Sequence, residues 1–162
     1  DASENYLDLY LGEMILEDLA ISQQAKGQIR DIKNLMSFLT VDFYNHDTDH
    51  TQIAEGLRYD FRHRMSFRVQ VDQTLISYFE RDSIKIELWG SEGSAAPLLG
   101  TGNINLKELV ARAQDSISPV VHSKVPIYGQ DHVLLGVIDY RVRMRLPISP
   151  LLKWMKDRRS RS

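Results

Sequence analysis

The chain contains no cysteine. That excludes disulfides, thiolate nucleophiles and cysteine-ligated zinc, and it suits a reducing compartment. No apolar run approaches the ~18 residues of a membrane-spanning helix, and Asp1 opens the sequence without a signal-peptide pattern. The expectation is a soluble, cytoplasmic fragment of a longer protein. Enzyme signatures are missing as well: there is no G-x-S-x-G elbow, no H-E-x-x-H and no phosphate-cradling glycine loop. Gly100-Thr101-Gly102 is too short for a dinucleotide fingerprint. Nothing groups the serines and histidines into a triad, so the expectation is a protein that is not an enzyme and uses no cofactor.

What is present is ordinary globular material. Of 162 residues, 43% are hydrophobic and 26% charged, which suits one folded domain rather than a disordered chain. A chain of this length buries roughly 70% of the surface its unfolded form exposes. The net charge is only −2, but it is unevenly spread. Asp1, Glu4, Asp8, Glu13, Glu17 and Asp18 are the charged residues of the first twenty, whereas from Arg141 onward eight Lys or Arg residues face Asp157 alone.

Period-two alternation dominates the pattern. In "RYDFRHRMSFRVQV" the apolar Tyr59, Phe61, Met65, Phe67, Val69 and Val71 alternate with Arg58, Asp60, Arg62, Arg64, Ser66, Arg68 and Gln70, which describes a strand with one face on a core and one in water. "YLDLYLGEMILEDLAI" sets Leu7, Leu9 and Leu11 at the same period and changes phase near Gly12, as one bent strand or two would. Residues 22–34 lack a sustained period and read as a loop with at most one helical turn. "LMSFLTVDFYN", "IKIELW", "VVHSKVPIY" and "VLLGVIDYRVRMRL" supply further strands, the last alternating Val142, Met144 and Leu146 against Arg141, Arg143 and Arg145. Short helices are expected at "DQTLISYFERDS", with Asp72 as N-cap, and at "NLKELVARAQ". A third follows Pro147, with Ser149 as N-cap and Pro150 at the first helical position. Such a series predicts an all-β antiparallel sandwich over residues 1–147 and a basic helical extension over 148–162, not a βαβ fold.

The run from Leu57 to Val71 resembles the "P-x-W-N-e-x-F-x-F-x-V" strand of C2 domains, with Tyr59 at the Trp position and no Pro. More of the chain is similar to the C2 domains of the retinitis pigmentosa GTPase regulator-interacting proteins, including protein fantom. The segments that carry this are "SENYLDLYLGEM", "GLRYDFRHRMSFRVQVDQTLISYFERDSIKIELW" and "GVIDYRVRMRLPIS". The resemblance implies an eight-stranded C2-type sandwich with short inserted helices. It also implies a protein-binding module of a scaffold at the ciliary transition zone, basal body or centrosome, with nephrocystin-type partners.

Calcium-dependent C2 domains need about five carboxylates from two loops, because the hard cation takes six to eight oxygens. In the loop after Ile84–Trp89 the acidic positions of such domains fall near Trp89, Ser91, Ala96 and Pro97, and Glu92 is the acid there; the loop 22–34 offers Asp31 alone. A calcium-independent module is therefore expected. "NHDTDH", with His46 and His50 around Asp47 and Asp49, has the residue types for zinc but the composition of a solvated turn. His63 reads as a core or sheet-edge histidine.

Two arginine rows are the candidate anion- or partner-binding site: Arg62, Arg64 and Arg68 on one strand, Arg141, Arg143 and Arg145 on another. Planar guanidinium donors suit carboxylates and phosphates. Protein partners come first; anionic lipid is the alternative ligand, since a basic strand face near a membrane gains about 1 kcal/mol per charge. Nucleic acid is not expected, because the net charge is negative and no aromatic residues punctuate the arginines.

Overall fold

The computed structural model of the protein describes residues 4–24, 32–91, 96–113 and 119–161. β1 (Glu4–Leu16) buries Leu7, Leu9 and Leu11, then changes phase and buries Met14 and Leu16. The phase change is a bulge at Gly12. Against the strand that follows late in the chain, Leu11 pairs with Tyr140 and Met14 with Ile138, so Gly12 and Glu13 together oppose Asp139. A Cβ on Gly12 would lie 2.9 Å from Asp139 Oδ2. The expected bend is thus accommodated inside one strand.

The strand ends sooner than its alternation suggests. Asp18–Gln24 is a helix, α1, opened by the Ile21 N–H donating to the Glu17 carbonyl at 2.9 Å. Asp18 stands at its first turn, where a carboxylate favours the helix dipole, and accepts from Ser22 Oγ. Leu19 and Ile21 stand two apart but out of phase with Met14 and Leu16: Ile21 is buried, whereas Leu19 is 72% exposed.

β2 (Met36–Asp42) is followed by the two-residue β3 (Asp49–His50) and β4 (Ala54–Glu55), both paired to it, and then by β5 (Arg58–Gln70). α2 (Gln73–Arg81) begins as predicted, the Asp72 carboxylate accepting from the Leu75 N–H at 2.9 Å, and it buries Leu75, Ile76 and Phe79. β6 (Ser83–Gly90), β7 (Leu98–Asn105), α3 (Lys107–Ala113), β8 (Val120–Tyr128), β9 (Leu134–Met144) and α4 (Ser149–Arg161) complete the order.

Every pairing is antiparallel, in the order β3-β2-β6-β7-β8-β9-β1-β5, with β4 beside β2. Between β7 and β8 the ladder shrinks to Thr101 opposite Tyr128, and there the sheet curls over so that its two halves close on a shared core. Gly100 and Gly102 permit the close approach: a Cβ on Gly102 would lie 2.6 Å from the Pro126 carbonyl oxygen. The predicted all-β sandwich is the observed architecture, built among the described residues from seven long strands and the two very short ones, β3 and β4.

One detail of the last strand differs from expectation. β9 stops at Met144, and Leu146 is 52% exposed instead of continuing the buried row. Asn5, buried in β1, causes the departure. Its amide oxygen accepts from the Leu146 N–H and its Nδ2 donates to the Leu146 carbonyl, both at 2.9 Å, which turns the chain out of the sheet. α4 then returns onto the core through Ile148 and Met155, with Leu151 and Leu152 packed beside them. No helix among the described residues is long and apolar enough to cross a membrane.

Candidate functional site

Strand order decides what the arginines can do together. β1 lies between β5 and β9, so the outward residues of all three share one face. The two arginine rows, distant in sequence, flank the outward residues Tyr6, Asp8 and Tyr10 of β1. Register sets the neighbours: Tyr10 stands opposite Arg64 on one side and Arg141 on the other, and Asp8 opposite Ser66 and Arg143. A groove of about 610 Å³ follows these strands, lined by Asp8, Tyr10, Arg64, Ser66, Arg141, Arg143 and Arg145, with Val120 at its rim.

Two subsites differ in their charge balance. At one, Asp8 accepts from Arg145 Nη2 at 2.8 Å, from Arg143 Nε at 3.2 Å and from Ser66 Oγ at 2.7 Å. Burial pushes the Asp8 carboxyl up, but the hydrogen bonds from Arg145, Ser66 and Arg143, together with the Arg145 charge, outweigh it and hold the group below the ordinary carboxylate range. The hydrogen bond to Asp8 in turn raises Arg145. Arg145 also covers the Tyr6 ring, 4.3 Å from its centroid. At the other subsite Arg64 and Arg141 each stand 5.8 Å from the Tyr10 centroid, and among the described residues neither has an acidic partner. Cation–π contacts of this exposed kind contribute about 0.5–1 kcal/mol.

The remaining predicted residues lie outside the groove lining. Arg62 sits at a bulge where Phe61 and Arg62 together oppose Gly12; its φ of 47° is left-handed, and its Nε donates to Asp60 at 3.1 Å. Arg68 is tied to Glu4. Asp8, Ser66 and Tyr10 were not singled out from the sequence as site residues. Their outward phase on β1 and β5 is visible there, but the position of β1 between the arginine strands is not.

The histidines are placed by packing. His46 Nε2 donates to the Arg68 carbonyl at 2.7 Å while its ring stacks on Phe43, and His63 Nε2 lies 3.6 Å from Asp49 Oδ1. His122 pairs with Asp139 at 2.8 Å. Among the described residues no group of three or more His, Asp or Glu side chains is arranged to hold a metal. At the sandwich end where C2 domains take calcium, the Trp89 indole N–H donates to Thr40 Oγ1 at 3.0 Å and the Ser91 N–H to the Met36 carbonyl at 2.7 Å. Neither position carries a carboxylate, the ligand type on which calcium cages chiefly depend. Glu92 and Asp31, the acids read in the two loops, lie outside the described residues.

An antiparallel sandwich with this strand order defines the chain as a C2 domain. Among solved structures it superposes on CC2D1B with a TM-score of 0.68 at 17% identity, covering 90% of this chain and 57% of that one. Calcium-bound extended-synaptotagmin 2 gives 0.58 at 14% identity, covering 86% of this chain and 45% of that one. At such identities the likeness is one of fold. Within that class, residues 1–147 match the family model described as the first C2 domain of RPGR-interacting protein 1, and the chain belongs to that family. The mouse X-linked retinitis pigmentosa GTPase regulator-interacting protein 1 is 28% identical over 159 residues, which is 97% of this chain and 11% of that protein. The human protein is 23% identical over 158 residues, 96% of this chain and 11% of that protein. The chain thus spans only a small part of the curated relatives it matches.

Proposed function

We propose that this C2 domain is a non-catalytic, calcium-independent protein-interaction module of a ciliary or centrosomal scaffold, working in the cytoplasm at the transition zone or basal body on nephrocystin-type partners. The observation that carries the reading is the groove in which four guanidinium groups face one carboxylate. Its attraction for anionic groups is built from strand register and needs no metal ion. Family membership supports the protein-interaction role, since the curated relatives are named for an interaction with another protein.

A test combines two assays. Capture of a nephrocystin-type partner by the chain is measured in calcium and in chelator, and sedimentation with phosphatidylcholine vesicles is measured with and without phosphoinositide. Equal capture in both buffers, with the chain left in the supernatant at physiological salt, is the expected result. The second reading, a calcium-independent peripheral membrane module, is favoured by the exposure of Arg64 and Arg141. Phosphoinositide-dependent pelleting without partner capture would establish it in place of the first.

A further inference from the structure

The arginines of the groove are of two kinds, and the difference is informative. Arg143 and Arg145 are held by Asp8, which also fixes Ser66, so they form a satisfied cluster. One row along the strands, Arg64 and Arg141 are exposed and have no acidic partner among the described residues. The spacing of their Cα atoms is set by strand register. Each stands directly opposite Tyr10 on a neighbouring strand, so they are two strand spacings apart, about 10 Å, with an aromatic ring between them. Two cations on either side of one ring do not converge on a single point. They match two separated anions joined by something the ring can lie against.

The geometry points to Arg64, Tyr10 and Arg141 as a clamp for an acidic polypeptide segment, each guanidinium taking one of two carboxylates about 10 Å apart while Tyr10 contacts the chain between them. This rests on the protein-interaction reading and names the chemistry of the partner and the residues that select it. A phosphoinositide headgroup fits less well, because its phosphates crowd on one small ring and the Asp8 carboxylate stands one row away, facing the same groove. Val120, 42% exposed and opposite Arg143, offers an apolar contact one row from the charged pair. An α-helix is a convenient ruler: residues seven apart are separated by about 10.5 Å along one face, residues four apart by about 6 Å.

The test uses the whole chain and three alanine-based helical peptides, with two Glu seven apart, two Glu four apart, or two Gln seven apart, titrated at low salt where ionic contacts are least screened. The seven-spaced Glu peptide is expected to bind at least fivefold more tightly than either of the others and to shift the amide resonances of Tyr10, Arg64 and Arg141. Arg64→Ala and Arg141→Ala should each weaken it at least fivefold, with thermal melting confirming that both variants fold, and Lys107→Glu on α3 should leave it unchanged. Equal affinity for the three peptides, or binding indifferent to Arg64→Ala and Arg141→Ala, would overturn the clamp. So would phosphoinositide vesicles that bind through these two arginines while the peptides do not. The wider reading fails separately, if the unmodified chain captures no nephrocystin-type partner; the groove fails as its site if capture is undiminished when Arg64, Arg141, Arg143 and Arg145 are all changed to Glu. Capture lost in that variant but intact when Arg64 and Arg141 alone are changed would overturn the clamp and leave the wider reading standing.

Discussion

Asp8 shows how one side chain sets the character of a surface. Its carboxylate accepts hydrogen bonds from two arginines and a serine on the two flanking strands, so it links three strands and neutralises part of the groove. Its pKa is held below the ordinary aspartate value, so its contribution to the fold is fully present above that value and is lost as the pH falls through the lower, folded-state pKa. Asp8→Asn should therefore cost about 1–2 kcal/mol in urea unfolding at neutral pH. The difference between variant and parent should shrink on acidification below about pH 4. An undiminished difference at low pH would mean that Asp8 acts by shape and not by charge. Asn5 does comparable work without charge. Buried and bonded to both backbone groups of Leu146, it ends β9, and Asn5→Ala would strand those groups at a cost of about 1–3 kcal/mol in the same measurement.

At the scale of elements, bulges and glycines govern how the strands fit. The bulge on β1 at Gly12 is matched by one on β5, where Arg62 takes the left-handed conformation, so the disturbance crosses three strands. β5 is a sheet edge of thirteen residues, and such edges invite unwanted pairing. Side chains from the preceding loop occupy two of its carbonyls: Gln52 Nε2 donates to Phe61 and His46 Nε2 to Arg68. Where β7 meets β8, Gly102→Ala should cost about 1–3 kcal/mol, because the new methyl would press on the Pro126 carbonyl, which is backbone and cannot swing aside. Chemical denaturation against the parent checks this, and a neutral result would mean that β7 can shift.

What the sequence disclosed follows the same division. Strand existence and facing were legible wherever alternation was strict, as in β5, and the α2 cap was legible from Asp72. α1 was not, because Leu19 and Ile21 stand two apart as strand residues would, although out of phase with Met14 and Leu16, while Asp18 and Ser22 supplied a helix start that is invisible without the Glu17–Ile21 hydrogen bond. The site was half legible. Alternation showed two arginine faces, but only the pairing of β1 with both β5 and β9 brings them together around Tyr10. Pairing partners distant in sequence leave no local pattern.

For the whole molecule the open matter is where the cooperative unit ends. The family match stops at residue 147, and the sequence suggested a separate extension beyond it, yet Ile148, just before α4, and Met155 within it are buried against the sandwich core. Met155 is 7% exposed and its neighbour Trp154 51%, the latter carrying Arg158 4.9 Å from its ring centroid. If helix and sandwich melt as one body, Met155→Ala should lower a single transition by about 2–3 kcal/mol, the lower part of the usual range for a buried methionine. A domain of this size would then melt roughly 4–12 °C earlier. Trp154→Ala should cost less than Met155→Ala, because about half of its side chain already lies in solvent. Calorimetry with helix-sensitive and sheet-sensitive probes distinguishes the cases: coincident transitions shifted by Met155→Ala make residues 148–161 part of the domain. An early loss of helix that leaves the sandwich midpoint unmoved would return them to the role of an appended basic segment, free to engage whatever the groove holds nearby.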